Sequence, residues 1–462
     1  MTHPAPLRVL VAGGGVAGLE TVLALRALAG RRVAITLLAA EPEFVVRAGA
    51  IGEPFDRSLG RRLVLSEVAA EQEATLVVGR LRGVEPAARV AITDLGRLHY
   101  DVLVVAAGAV ATEALPGAVT FRGGAEVGAM RAVVDDLAAG RARSVAFALP
   151  TAMAWSLPLY ELALMTSARL VGEQVTEPKL TIVTPEPAPL AVFGTAGARA
   201  MEPALAQRGI ALRTSARPAR VEPGRLILAD GSSVEADHVV TLPVLEGPRL
   251  DGLPADARGF VPVDRHGAVR GLEDVYAAGD VTTFPLKQGG LAAQQADAVA
   301  EAIAARAGAP VTPSPFRPVL RGLLLTGTEP IYLRAEPGAA DRTQSVAARG
   351  RLPSTAEAAS DRPLWWPPAK VAGRYLAPYL ATARPSRLET AVLADRPAPL
   401  RPARVGERRE ALELALTLAD LDASWGDHAS ALRALDAAEA LEGVLPPGYA
   451  RKREQWRVAA AR

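Results

Sequence analysis

Leu7–Ala12 (LRVLVA) is a six-residue apolar run of the kind that forms a strand buried on both faces. It leads straight into Gly13, Gly14 and Gly15, after which Val16–Leu28, rich in alanine and leucine, reads as a helix. A second apolar run, Val33–Leu38, follows, completing a β–turn–α–β unit of the expected length. Within the turn, Gly13-x-Gly15-x-x-Gly18 has a distinct use for each glycine. The first permits the sharp turn. The second lets a pyrophosphate approach the backbone at the helix N-terminus, and the third lets helix and strand pack closely. Alone this spacing is weak; between a buried strand and a helix it is strong. Gly13, Gly15, Val16, Ala17 and Gly18 are therefore the first candidate dinucleotide-binding residues. Ala39 and Ala40 stand where a ribose-binding acid is usual, so Glu41 is either its late substitute or a loop carboxylate.

The chain has 462 residues, half of them hydrophobic, enough for two or three packed domains. With 52 basic against 50 acidic residues there is no single-sign field to recruit nucleic acid. The absence of cysteine excludes a disulfide framework, a CxxC redox pair, an iron–sulfur cluster and a thiolate zinc site. His3, His99, His238, His266 and His428 are scattered, with no pair at metal-ligand spacing, and each reads as a surface or loop histidine. No signal peptide is visible. Ser144–Tyr160 is uncharged, but Pro150 and Pro158 interrupt it, and it reads as a buried strand running into a loop and helix. A cytoplasmic protein is expected, with peripheral membrane contact left open.

Strands continue at Tyr100–Ala109, Ser144–Leu149, Leu180–Thr184, Val239–Leu242 and Val275–Asp280, the last followed by a long helical pattern, Gly290–Ala305. Alternating strands and helices predict an α/β fold with two Rossmann-like domains. The expected divisions are 1–140 with 258–310, and 141–257. Residues 311–400 read as a mixed C-terminal interface domain with strands at Leu320–Gly327 and Ile331–Arg334, and Asp341–Arg362 as a polar loop. Residues 405–462 read as a helical hairpin resembling one tetratricopeptide unit, its helices over Glu407–Ala440 and its turn at Gly426-Asp427.

Three motifs in order carry a resemblance: GGGVAGLE (Gly13–Glu20), the small-residue strand Val104–Ala109, and VYAAGDVTTFPLKQGGLAAQQA (Val275–Ala296). The chain resembles the two-dinucleotide-binding-domain flavoproteins of the pyridine nucleotide-disulfide oxidoreductase type, nearest to type II NADH dehydrogenase and sulfide:quinone oxidoreductase. The resemblance implies bound FAD, with Ala107 and Gly108 in the second flavin contact, Asp280 at the ribityl or pyrophosphate side, and Gly279 in close backbone approach. The late helix would aim its N-terminus at the flavin ring and stabilise negative charge there by up to about 2 kcal/mol. Lys287 and Gln288 are the candidate catalytic residues, the lysine stabilising a reduced ring or polarising an acceptor, the glutamine donating to ring carbonyls. For Lys287 the alternative is a solvent-facing loop lysine.

Two departures bear on function. NADH-using relatives carry a second glycine turn, but Ser144–Leu164 here contains no glycine, and a pyrophosphate would meet Thr151, Ala152, Met153 and Ala154 instead. NAD(P)H binding is weakened but stays open. Sulfide:quinone oxidoreductases work through cysteine persulfides, which this chain cannot form. The reading is an FAD-dependent oxidoreductase passing electrons from an unidentified small donor to a quinone or other small acceptor, without cysteine chemistry. The alternative is a flavin-retaining binding or regulatory protein that docks a partner through its helical tail. Trp365, Trp366, Tyr375 and Tyr379 suit a membrane-facing surface, an interdomain core or a homodimer seam, while Trp155 and Tyr160 are candidates for a substrate cleft or for buried packing.

Overall fold

The computed structural model describes residues 5–57, 60–151, 155–337, 354–382, 416, 419–420, 423, 428–442, 445–446 and 448–460. The chain divides into two compact units, residues 1–361 with 370–386, and residues 362–369 with 387–462.

The first unit contains two five-stranded parallel sheets of matching construction. In one, the order is Val275–Ala277, Val102–Val105, Leu7–Ala12, Val33–Ala39, Thr75–Val78. In the other it is Val119–Thr120, His238–Thr241, Ser144–Ala148, Lys179–Val183, Ala211–Arg213. Val102–Val105 and Ser144–Ala148 are buried at every position, as parallel strands covered on both faces require. Each half also carries an antiparallel three-stranded meander: Leu81–Glu85, Val90–Thr93 and Gly96–His99 in one, Pro218–Glu222, Arg225–Leu228 and Ser233–Glu235 in the other. The sequence reading of Tyr100–Ala109 as a strand contracts to Val102–Val105, because the chain turns at Ala106–Gly108 to meet the glycine loop.

The opening helix Val16–Ala29 and the late helix Gly289–Arg306 pack together, their small residues (Ala17, Ala24, Ala292, Ala296, Ala300) sharing one apolar cluster. Gly279 sits where the two helices begin: a Cβ there would lie 2.9 Å from Ala17 Cβ and 3.3 Å from Ala292 Cβ. The two N-termini are therefore neighbours, and Gly289 lies close enough that its Cβ would be 3.8 Å from Val16 Cγ2.

An antiparallel sheet of Leu320–Leu324, Ile331–Pro337 and Ser354–Ser360 follows. Ser354–Ser360 corrects the expectation of a polar loop over Asp341–Arg362. Its residues are small and polar, with no period-two apolar signal, and the strand exists because Ile331–Pro337 offers a pairing edge. The remainder of that loop, 341–353, lies outside the described residues. Glu357 on this strand accepts hydrogen bonds from the Thr195 and Ala196 amides at 2.7 and 3.2 Å, a carboxylate at the N-terminus of the helix Gly194–Ala206.

In the second unit, His428–Glu442 and Tyr449–Ala460 are helices packed around Ala431, Ala434, Leu435 and Trp456. The hairpin expected over Glu407–Ala440 lies largely outside the described residues, as does its turn at Gly426-Asp427. The helix Tyr449–Ala460 was missed in sequence because its face is mostly charged. Trp365 in the same unit is buried and donates its indole N–H to the Ala369 carbonyl at 3.2 Å. Among the described residues no helix is long and apolar enough to cross a membrane.

Candidate functional site

The glycine loop is built by contact, position by position. A Cβ on Gly13 would fall 2.0 Å from the Ala106 carbonyl oxygen, and one on Gly18 would fall 1.7 Å from the Gly13 oxygen. Both glycines are required by backbone packing between adjacent strands and helix. Gly15 is different: nothing lies within 4 Å of its Cβ position. It opens at the N-terminus of the opening helix, which has no side-chain cap, so its first amides face an approaching ligand. Val16 and Ala17 form the first turn. Gly108, at φ +74°, follows Ala107 beyond the neighbouring strand and likewise faces open space. These features fit a pyrophosphate of FAD.

Gly279 and Asp280 follow the strand Val275–Ala277. The Gly279 amide donates to Gln295 Oε1 at 2.8 Å, and Thr282 Oγ1 donates to the Gly279 carbonyl at 3.0 Å. Gln295, a turn and a half into the late helix, was not singled out in sequence; it fixes the loop that presents Asp280. Burial pushes the Asp280 carboxyl above its ordinary range, against the opposing pull of Lys287. Lys287 is partly buried, not a solvent-facing loop lysine. Its ammonium donates to the Thr282 carbonyl and lies 3.8 Å from the Phe260 ring centroid. Burial lowers its pKa to about 8, with Asp280 opposing.

Gln288 is the N-cap of the late helix: its Oε1 accepts the Leu291 amide at 2.8 Å and its Nε2 donates to the Arg321 carbonyl at 3.1 Å. Both ends of the side chain are engaged in holding that helix start. Glu41 is exposed, and its Oε1 accepts from Arg80 at 2.7 Å.

Asp280, Lys287, Gln288 and Gly289 line one side of a cleft of roughly 300 Å³. Trp155, Phe121 and Leu323 give it apolar wall, and the Trp155 ring meets Phe193 edge-on at 5.6 Å. Glu161 and Lys370 also line it. They form an ion pair in which Glu161 is fully buried and Lys370 nearly so, and Glu161 Oε1 also accepts the Leu325 amide at 2.8 Å. Glu161 Oε2 is buried without a hydrogen-bond partner. Burial raises the glutamate and lowers the lysine, each opposed by the other's charge.

Tyr160, expected beside Trp155 as a cleft residue, is instead fully buried and donates to Glu186 Oε2 at 2.9 Å. Glu186 also accepts from Ser156 at 3.0 Å and from Thr184 at 3.0 Å. Following the strand Lys179–Val183, Glu186 occupies the position from which an acid reaches a dinucleotide ribose, yet its carboxylate is turned into these three hydroxyls. No basic side chain pairs with it among the described residues, and burial raises its pKa. Glu186 therefore offers a nicotinamide dinucleotide no outward acid, and Ser144–Leu164 contains no glycine; residues 152–154 lie outside the described residues.

Tyr375 and Tyr379 are half-buried against the opening-helix core, and Tyr379 donates to Glu71. His238 corrects the surface reading: it lies half-buried on a strand with Nε2 3.0 Å from Asp136 Oδ2. Among the described residues no cluster could hold a metal ion.

Residues 160–305 match the family described as pyridine nucleotide-disulphide oxidoreductase. No curated protein matches the sequence. Among solved structures, the sulfide:quinone oxidoreductase of Aquifex aeolicus is similar at TM-score 0.65 and 20% identity, over 84% of this chain and 91% of that one. The ferredoxin reductase for the CYP199A2 system of Rhodopseudomonas palustris is similar at TM-score 0.55 and 19% identity, over 72% and 83%. A NAD-dependent persulfide reductase of A. fulgidus is similar at 0.52 and 18%, over 73% and 65%. In fold, glycine loop and family match the chain is similar to flavoproteins of the pyridine nucleotide-disulfide oxidoreductase type, the family match covering residues 160–305, less than half of the chain.

Proposed function

We propose that this protein passes electrons from a small-molecule donor, through FAD held by the first sheet, to a quinone or other small acceptor, without cysteine chemistry. The observation that carries the reading is Gly15, open to space at the paired N-termini of two helices while Gly13 and Gly18 are closed by backbone. Bound FAD supplies the electron carrier; the chain supplies position, charge and protons. Gly15 and the amides after it would meet the pyrophosphate, Ala107 and Gly108 the flavin's second contact, and Asp280 the ribityl hydroxyls. Lys287 Nζ, with a pKa of about 8, holds a proton beside Asp280 and can release it near neutral pH. Glu161 and Lys370 hold another at the cleft wall, where Glu161 Oε2 has no other partner.

The domain division at 1–140 with 258–310, 141–257, 311–400 and 405–462 belongs to this reading, as do a cytoplasmic location, peripheral membrane contact and a homodimer. The inward carboxylate of Glu186 argues against NAD(P)H as the donor. The compact helical pair His428–Glu442 and Tyr449–Ala460 supports the second reading, a flavin-retaining protein that docks a partner through this tail.

Visible absorbance of the purified protein, followed during anaerobic addition of NADH and then dithionite, tests the proposal. A protein that neither carries nor takes up flavin overturns it. Bleaching by NADH makes NAD(P)H the donor; bleaching by dithionite alone directs the search elsewhere.

A further inference from the structure

Six basic side chains line the cleft, Arg47, Arg122, Arg258, Lys287, Arg321 and Lys370, against two carboxylates, Glu161 and Asp280. Among the described residues, only part of that excess is paired with carboxylates. Several exposed arginines outside the cleft sit on carboxylates, among them Arg8 on Asp101 at 2.7 Å, Arg80 on Glu41 at 2.7 Å and Arg97 on Glu85 at 2.5 Å. Inside it, Lys370 is spent on Glu161 and Arg122 on Glu126. Arg258 donates to the Leu245 carbonyl at 2.6 Å and stacks 5.3 Å from the Phe260 centroid, with no ion pair among the described residues. Lys287 stands over the same ring and, among the described residues, bonds the Thr282 carbonyl. Arg47, at the start of the segment Arg47–Phe55, has no ion-pair partner among the described residues.

Phe260 thus gathers two cations that line a cleft also lined by Trp155, Phe121 and Leu323. Like charges in excess of the carboxylates beside them repel one another, and the arrangement is relieved by an anion. Two carboxylates act on the Lys287 charge: Asp256, outside the cleft lining, whose Oδ1 accepts the Arg258 and Phe260 amides at 2.9 Å, and Asp280, whose oxygens in the flavin reading are taken by the ribityl chain.

We propose that the cleft takes a small organic anion, a carboxylate on an apolar body, with its charge held by Arg47, Arg258 and Lys287 and its body against Trp155, Phe121 and Leu323. This names the substrate class of the proposed oxidoreductase and rests on that reading for the place of the flavin.

The test compares 2-naphthoate with its neutral isostere 2-naphthamide by calorimetry, on protein whose flavin content has been measured from its visible spectrum. The expected result is binding of the carboxylate about tenfold or more tighter than the amide. Raising salt from about 50 to about 300 mM should narrow that preference, and Arg47→Gln with Arg258→Gln should remove it while the melting temperature is held. Equal affinities, a tighter amide, or no heat from either ligand at millimolar concentration overturns the proposal. If the spectrum shows no flavin, the oxidoreductase reading fails; the carboxylate preference is then read independently on the flavin-free protein.

Discussion

Glu20 on the opening helix accepts the Leu376 amide through Oε2 at 2.8 Å and the Tyr375 amide through Oε1 at 2.7 Å. One buried carboxylate thus caps the helix Leu376–Thr382 and ties it to the flavin-side core. Gly373 makes room for it, since a Cβ there would lie 2.3 Å from Glu20 Oε2. Glu20→Ala should cost about 1–3 kcal/mol by leaving two buried amides unsatisfied, and Gly373→Ala should weaken the same tie. Urea unfolding of both variants checks this; a loss below about 0.5 kcal/mol for Glu20→Ala would show that the cap is dispensable.

The glycine loop separates folding from binding. Gly18→Ala places a methyl on the Gly13 carbonyl oxygen and should cost about 3 kcal/mol or more. Gly15→Ala meets nothing in the protein and, at φ −86°, is unstrained, so its melting temperature should stay within about 2 °C of the parent. Flavin occupancy, read as the ratio of visible to ultraviolet absorbance, should nevertheless fall in Gly15→Ala. Full occupancy in that variant would mean that the pyrophosphate lies elsewhere.

Glycine spacing and the small-residue motif at Val275–Asp280 were legible in sequence because each is a local backbone requirement. Apolar runs likewise located the central strands of both parallel sheets, whereas Thr75–Val78, Val119–Thr120 and Ala211–Arg213 were not singled out. The carboxylate networks were not legible: Glu20 meets Leu376 and Glu161 meets Lys370 across more than two hundred positions, and nothing local marks either glutamate. Glu186 was passed over for the same reason. Its three hydroxyl partners lie on two elements, and the sequence gives no direction for its side chain. Gln288 was read for chemistry, whereas Gln-x-x-Leu at a helix start is equally a cap, and the cap geometry is what the fold adopts.

Glu186 makes stability depend on pH. Burial raises its folded pKa above the unfolded carboxyl value near 4.5, so its folded form keeps a proton that the unfolded chain releases. Its contribution is fully present below that unfolded value and is lost as pH rises through the folded pKa. The slope is at most about 1.4 kcal/mol per pH unit. Melting temperatures of the parent and Glu186→Gln between about pH 4 and 8 should diverge in the variant's favour as pH rises. Parallel curves would show that Glu186 is ionised alike in both states.

Breaking the cleft-wall ion pair from one side should be worse than removing it. Lys370→Met strands the Glu161 carboxylate in an apolar wall and should cost about 3–5 kcal/mol. Adding Glu161→Gln removes that charge and keeps an oxygen to accept the Leu325 amide, so the double variant should regain part of the loss. Denaturant unfolding of the two singles and the double closes the cycle; strict additivity would mean that the two groups do not stabilise each other.

Lys287 supplies the last test, with the opposite sign to Glu186. Its folded pKa of about 8 lies below the ordinary lysine value of 10.5, because burial disfavours the ammonium. Between those values the unfolded chain keeps a proton that the folded protein has released, so stability from this group rises with pH and is lost as pH falls through about 8. The sequence has four lysines, which keeps a lysine-labelled carbon spectrum simple. One side-chain resonance should titrate near pH 8 and vanish in Lys287→Arg. An anion bound in the cleft should move that midpoint upward by favouring the ammonium, and a neutral analogue should leave it in place. A Lys287 resonance that titrates only near pH 10 would place its ammonium in water and withdraw it from both the flavin site and the anion site.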